Sequence, residues 1–137
     1  MPYEFLEHTA DTQVECRAPS FTALLETAAR AMYAVALNEV REAKELQRAV
    51  SVEGASREEV VVRFLQELLF LLDTDHFVAT TFSWETNNAA PLKYTARLEG
   101  YRCAPGERTA EIKSTTYHDL EVRETPQGLV ARVIFDI

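Results

Sequence analysis

The sequence predicts an α+β fold: a mostly antiparallel sheet with two main helices packed on one face, forming a single compact domain over residues 1–137. Three observations carry this reading. Alternating apolar residues mark extended runs at both ends of the chain, and two amphipathic helical stretches lie between them. With 47% hydrophobic residues, 137 residues can bury a core without disulfides or a structural metal.

Residues 3 to 8 and 12 to 18 read as two strands split by the polar HTAD turn, with Val14 and Cys16 alternating against Gln13, Glu15 and Arg17. Pro19 and Ser20 stop the second strand. Ser20 then caps a helix to about Leu37, because Phe21, Leu24, Leu25, Ala28, Met32 and Val35 recur at helical spacing. Asn38 to Lys44 is charged and lacks apolar periodicity, which suits a loop. Leu46 to Glu53 alternates as a strand, ended by Gly54.

Ser56 and Glu59 spell an S-x-x-E capping box ahead of a second helix from about Arg57 to Leu72. Val60, Val61, Phe64, Leu65, Leu68, Leu69 and Leu72 give it a wide apolar stripe, so it is expected to be the central packing element. His76 to Trp84 is rich in Phe, Val and Thr, and Leu92 to Gly100 places Leu92, Tyr94, Ala96 and Leu98 on one side. Asn87 to Pro91 and Cys103 to Glu107 are turn chemistry. Ala110 to Glu124 holds extended segments around TTYHDL, and Gln127-Gly128 leads into a last strand, Leu129 to Asp136.

Composition excludes several classes of function. A formal net charge of -8 argues against direct RNA or DNA binding, which rests on a basic footprint. The same charge suits cation binding, docking on a basic partner, or solubility alone. Cys16 and Cys103 form no CxxC pair and have no histidine at zinc spacing, so they read as isolated thiols. The longest apolar run, Phe64 to Leu72, is interrupted by Gln66 and Glu67, and no leader pattern is present. A soluble, cytoplasmic protein without membrane association is expected. GxGxxG, Walker, GxSxG and HExxH patterns are absent, and only four glycines occur.

The polar residues that stand out lie at strand exits. Asp11 closes EFLEHTAD and Asp136 closes VIFD, each at the end of an apolar extended run. Two such carboxylates side by side make an oxygen-rich site suited to a hard divalent cation: calcium, magnesium or manganese. Asp11 also fits a turn residue bonded to its own backbone, and Asp136 a solvated carboxylate near a chain end. His8 and His118 suit ligation or hydrogen bonds that orient a carboxylate, and such histidines are more often satisfied structural donors than metal ligands. Lys113 and Asp119 are candidates to face a ligand or partner, although a strand lysine also blunts an edge. Asp73 and Asp75 follow the second helix, where carboxylates oppose the macrodipole unless a cation compensates, so a minor second cation site is conceivable beside the simpler solvated loop.

Taken together, YEFLEHTAD (Tyr3 to Asp11), ELLFLLDTD (Glu67 to Asp75), KSTTYHDLEV (Lys113 to Val122) and the final VIFDI resemble the archease family over nearly the whole length and in the right order. The resemblance implies an accessory protein, not an enzyme in its own right. Archeases are protein cofactors of the RtcB-type RNA ligase of tRNA splicing and RNA repair, which uses GTP and manganese; they speed ligase guanylylation and allow multiple turnover. By motif, Asp11 and Asp136 correspond to the family's metal-binding carboxylates, with the main-chain carbonyl of Ile137 completing the set. His8 and His118 match the motif histidines, and Lys113 stands near a basic position. The sequence departs from the pattern directly after HTAD, where Thr12 and Gln13 replace a small apolar residue and a glycine.

Two other readings compete with ligase activation. One is a chaperone-like modulator of a tRNA-modifying enzyme, a role also attributed to archeases with tRNA cytosine methyltransferase. The other is a metal-dependent hydrolase, for which the chain supplies no evident nucleophile or oxyanion donor.

Overall fold

The computed structural model describes residues 2–6, 12–87, 91–116 and 120–137. Among these residues, eight strands and two helices follow in the order β1 (Tyr3–Leu6), β2 (Thr12–Ala18), α1 (Phe21–Ala36), β3 (Leu46–Gly54), α2 (Arg57–Asp75), β4 (Phe77–Asn87), β5 (Leu92–Arg102), β6 (Ser114–Thr116), β7 (Val122–Thr125) and β8 (Gly128–Asp136). A short 3-10 turn, Pro105–Glu107, sits between β5 and β6. The α+β class read from the sequence is the one observed.

All pairings are antiparallel, but the strands divide into two sheets. One has the order β1-β2-β8-β6, with β7 also on β8, and the other the order β3-β5-β4. Helix α1 packs on β2 and β8 and touches β4, α2 packs on β3, β4 and β5 and touches β6, and the helices meet each other. This explains why α1 buries more than one stripe. Ala29, Tyr33 and Ala36 are enclosed together with the expected Phe21, Leu24, Leu25, Ala28 and Met32, while Val35 is only partly buried. Both sheets and both helices contribute to one continuous core.

Local chemistry sets the element ends. The Ser20 hydroxyl accepts from the Ala23 N–H at 3.3 Å, and the Ser56 hydroxyl from the Glu59 N–H at 3.2 Å. Only half of the expected capping box forms, because the Glu59 carboxylate turns to Arg63 at 3.0 Å. Helix α2 continues past Leu72 to Asp75 and ends in His76, whose φ of 54 places it in the left-handed region, with its N–H returned to Leu71 and Leu72 carbonyls. The fourth strand therefore begins at Phe77, one residue later than the sequence suggests, and runs on to Asn87. A bulge at Thr80 turns β4 against β5 beside Gly100. A Cβ there would lie 1.8 Å from the Val78 carbonyl oxygen, so glycine is required by close approach. The β7–β8 hairpin turns through Gly128 at φ 129. Among the described residues, no helix is long and apolar enough to cross a membrane.

Candidate functional site

Strand β8 is the axis of the site. It lies between β2 on one side and β6 and β7 on the other, with Val133, Ile134 and Phe135 each at most 3% exposed. Its last residues are thus fixed by packing, not frayed. Thr12 stands directly opposite Phe135 on β2, and Thr115 stands opposite Phe135 on β6. Ser114 faces Asp136, and the Lys113 N–H donates to the Asp136 carbonyl at 2.7 Å. One flank of β8 is therefore the strand that starts directly after HTAD, and the other lies within KSTTYHDLEV.

Alternation along β8 turns Leu129, Ala131, Val133 and Phe135 to the core, and places Val130, Arg132, Ile134 and Asp136 on the opposite face. Asp136 is half-buried there, and among the described residues no ion pair or hydrogen bond engages its carboxylate. Further along the same face Glu15 is paired with Arg17 and, at 3.8 Å, with Arg132. Ile137 follows Asp136 and is 45% exposed. The Lys113 side chain is exposed. Asp11, His8, His118 and Asp119 lie outside the described residues, as do residues 7–11 and 117–119 generally. Thr12 and Gln13, which depart from the family pattern, are extended residues of β2.

The structure accounts differently for Asp73 and Asp75. They belong to the last turn of α2, and the cations that compensate them there are arginines. Asp75 accepts from Arg48 Nε at 2.9 Å and from Arg102 Nη2 at 2.9 Å, with a second Arg48 contact through Nη2. Hydrogen bonds from Arg48 and Arg102 hold the Asp75 carboxyl below the usual carboxylate range. Asp73 takes Arg108 Nη1 at 3.1 Å. A solvated loop is thus replaced by a charge-paired helix terminus, and the oxygen donors are already engaged. The sequence carried half of this signal in the macrodipole argument; the arginines come from distant strands, which spacing cannot reveal. Ser114, beside Asp136, was likewise not singled out, since a serine in a strand carries no distinguishing pattern.

Both cysteines are buried. Burial, with the neighbouring Glu15 carboxylate, pushes the Cys16 thiol up to about 12, and burial raises Cys103 as well. They are inert structural thiols. Among the described residues, no three His, Cys, Asp or Glu side chains gather as a metal cluster.

A two-sheet, two-helix α+β protein whose final strand carries a half-buried carboxylate with no partner among the described residues is the class defined by this geometry. The sequence matches the profile of the archease protein family (MTH1598/TM1083) over residues 3–137. The chain belongs to the archease family. It is 34% identical over 137 residues to protein archease of Archaeoglobus fulgidus, covering 100% of both chains. With protein archease of Methanosarcina mazei it shares 32% identity, over 98% of this chain and 95% of the relative. Its structure resembles the solution structure of Methanobacterium thermoautotrophicum protein 1598, with a TM-score of 0.82 and 28% identity over 99% of each chain. It also resembles the crystal structure of an archease, possible chaperone, from Thermotoga maritima, at a TM-score of 0.65 and 21% identity over 96% of this chain and 94% of that one. That last likeness concerns the fold.

Proposed function

We propose that this protein is a non-enzymatic activator of an RtcB-type, GTP-dependent RNA ligase in tRNA splicing or RNA repair, acting through one divalent ion held by Asp11, Asp136 and the Ile137 carbonyl. The observation that carries the proposal is the β2–β8 register, in which Thr12 is opposite Phe135. Asp11 is bonded to Thr12 and Asp136 to Phe135, and each trans peptide link spans about 3.8 Å between Cα atoms. The two acidic residues are therefore tied by the chain to the same pair of neighbours.

The donor set fits the ion. Carboxylate and carbonyl oxygens suit calcium, magnesium or manganese, and a half-buried carboxylate with no partner among the described residues gains most from such a cation. When bound, the ion supplies positive charge that phosphate oxygens can share. The remaining work falls to the chain. Packing of Val133 and Phe135 aims Asp136, the Lys113 N–H fastens its carbonyl, and the net charge of -8 favours encounter with a basic RNA-binding ligase. His8, His118, Asp119 and the exposed Lys113 ammonium are assigned to orienting the carboxylates or facing the ligase.

The test is guanylylation of purified ligase with GTP and manganese. Asp11→Ala and Asp136→Ala are each expected to lower the stimulation at least about tenfold. Full stimulation by both variants overturns the proposal.

A second reading, a chaperone-like modulator of a tRNA-modifying enzyme such as a tRNA cytosine methyltransferase, is favoured by one observation: Phe70 on α2 is 61% exposed. That role depends on apolar surface, so Phe70→Ser would impair it while leaving ligase stimulation intact.

A further inference from the structure

A cleft of about 190 Å³ opens where the edge of the β1 sheet, the edge of the β4 sheet and helix α1 converge. Tyr33 forms its floor. The ring is 1% exposed, and its hydroxyl accepts the Ala79 N–H at 3.2 Å. Among the described residues, nothing accepts the Tyr33 hydroxyl proton. Burial raises the pKa of this phenol above its ordinary value, so it stays a donor at any physiological pH.

The other polar groups of the wall are already engaged or cancel. Thr80 gives its hydroxyl to the carbonyls of Ala43 and Glu99, at 2.8 and 3.2 Å. Arg30 and Glu42 line the cleft with opposite charges, and Arg30 is further drawn to Glu26 at 3.7 Å. Tyr3, Ala34 and Val40 supply apolar wall, and Tyr3 meets the exposed Phe5 ring edge-on at 5.5 Å. What remains, among the described residues, is one buried donor without an acceptor, in a cleft whose two lining charges offset each other.

We infer that this cleft binds a neutral small molecule about the size of one aromatic ring that presents a carbonyl oxygen to the Tyr33 hydroxyl. A space of about 150 Å³ already suffices for a benzene ring in an apolar protein cavity, so the volume is adequate. Drug-sized ligands need about 300 Å³ or more, so larger compounds are excluded. Arg30 at the rim is offset by Glu42 and drawn to Glu26, so the cleft offers no free cation to an anion. The site is remote in sequence from Asp136, and the inference does not rest on ligase activation.

Benzamide, toluene and benzoate serve as neutral-carbonyl, apolar and anionic probes, followed by amide chemical shifts of the full chain. Benzamide is expected to shift Ala34, Val40 and Ala79 saturably, with toluene and benzoate at least about fivefold weaker, a factor in keeping with one buried hydrogen bond. Tyr33→Phe removes only the hydroxyl and is expected to weaken benzamide to the level of toluene. Ala34→Leu, a change at an exposed position of α1, is expected to close the mouth and abolish the shifts even if Tyr33→Phe does not fold. Absence of saturable shifts with benzamide overturns the inference. So does equal binding of toluene, or benzamide binding that survives Ala34→Leu.

Discussion

Thr12 on β2 and Thr115 on β6 flank the same residue of β8, Phe135, from opposite sides. The strand that begins directly after HTAD and the strand within KSTTYHDLEV therefore both border Phe135 of VIFDI, and Asp136 follows that residue directly. Phe135 is fully buried, so Phe135→Ala is expected to destabilise the domain by about 3–5 kcal/mol in denaturant titrations.

Thr115 is 2% exposed and its hydroxyl has no hydrogen-bond partner among the described residues. A buried polar atom left unpaired is costly, and valine has nearly the same shape. Thr115→Val is expected to raise stability by about 1 kcal/mol, read as a higher denaturation midpoint with an unchanged slope.

The start of α2 separates two otherwise similar side chains. Ser56 caps the helix, so Ser56→Ala is expected to cost about 1 kcal/mol. Among the described residues Glu59 pairs with Arg63 at a partly exposed position, and Glu59→Gln is expected to cost less than about 0.5 kcal/mol. Equal costs would restore the full capping box.

Asp75 links the end of α2 to β3 and β5 through Arg48 and Arg102. Its folded pKa lies below the unfolded value, so its stabilisation is present above about pH 4 and is lost as the pH falls through the lower folded value. Asp75→Asn is expected to lower the melting temperature at neutral pH, with the difference from wild type shrinking as the solution is acidified below about pH 4. Thermal melts across that range check it.

Gly100 is expected to tolerate no side chain. Gly100→Ala drives a Cβ into the Val78 carbonyl within the β4–β5 ladder, and a loss of about 2 kcal/mol or more is expected by equilibrium unfolding.

Much of this was legible in the sequence. The helix caps at Ser20 and Ser56, the inward alternation of Val14 with Cys16 and of Tyr94, Ala96 and Leu98, and the turn before β8 depend on local chemistry that neighbours in sequence carry. What depends on distant partners was not. Division into two sheets follows from which strands pair, and α1 is enclosed on several sides because elements far along the chain surround it. The arginines that engage Asp73 and Asp75 come from β3, β5 and the segment after the 3-10 turn, so a local reading of DTD leaned towards solvent. At the candidate site, Asp136 could be marked as a strand exit from its position after V-I-F. Its lack of a partner among the described residues is a three-dimensional fact.

The central claim is that the opening and closing segments hold one divalent ion jointly, and calorimetric titration of manganese into wild type, Asp11→Ala and Asp136→Ala tests it most directly. One equivalent bound by wild type, with each substitution weakening binding at least about tenfold and the double substitution adding little more, is the expected result. Stoichiometric binding of unchanged affinity in both single variants would contradict it.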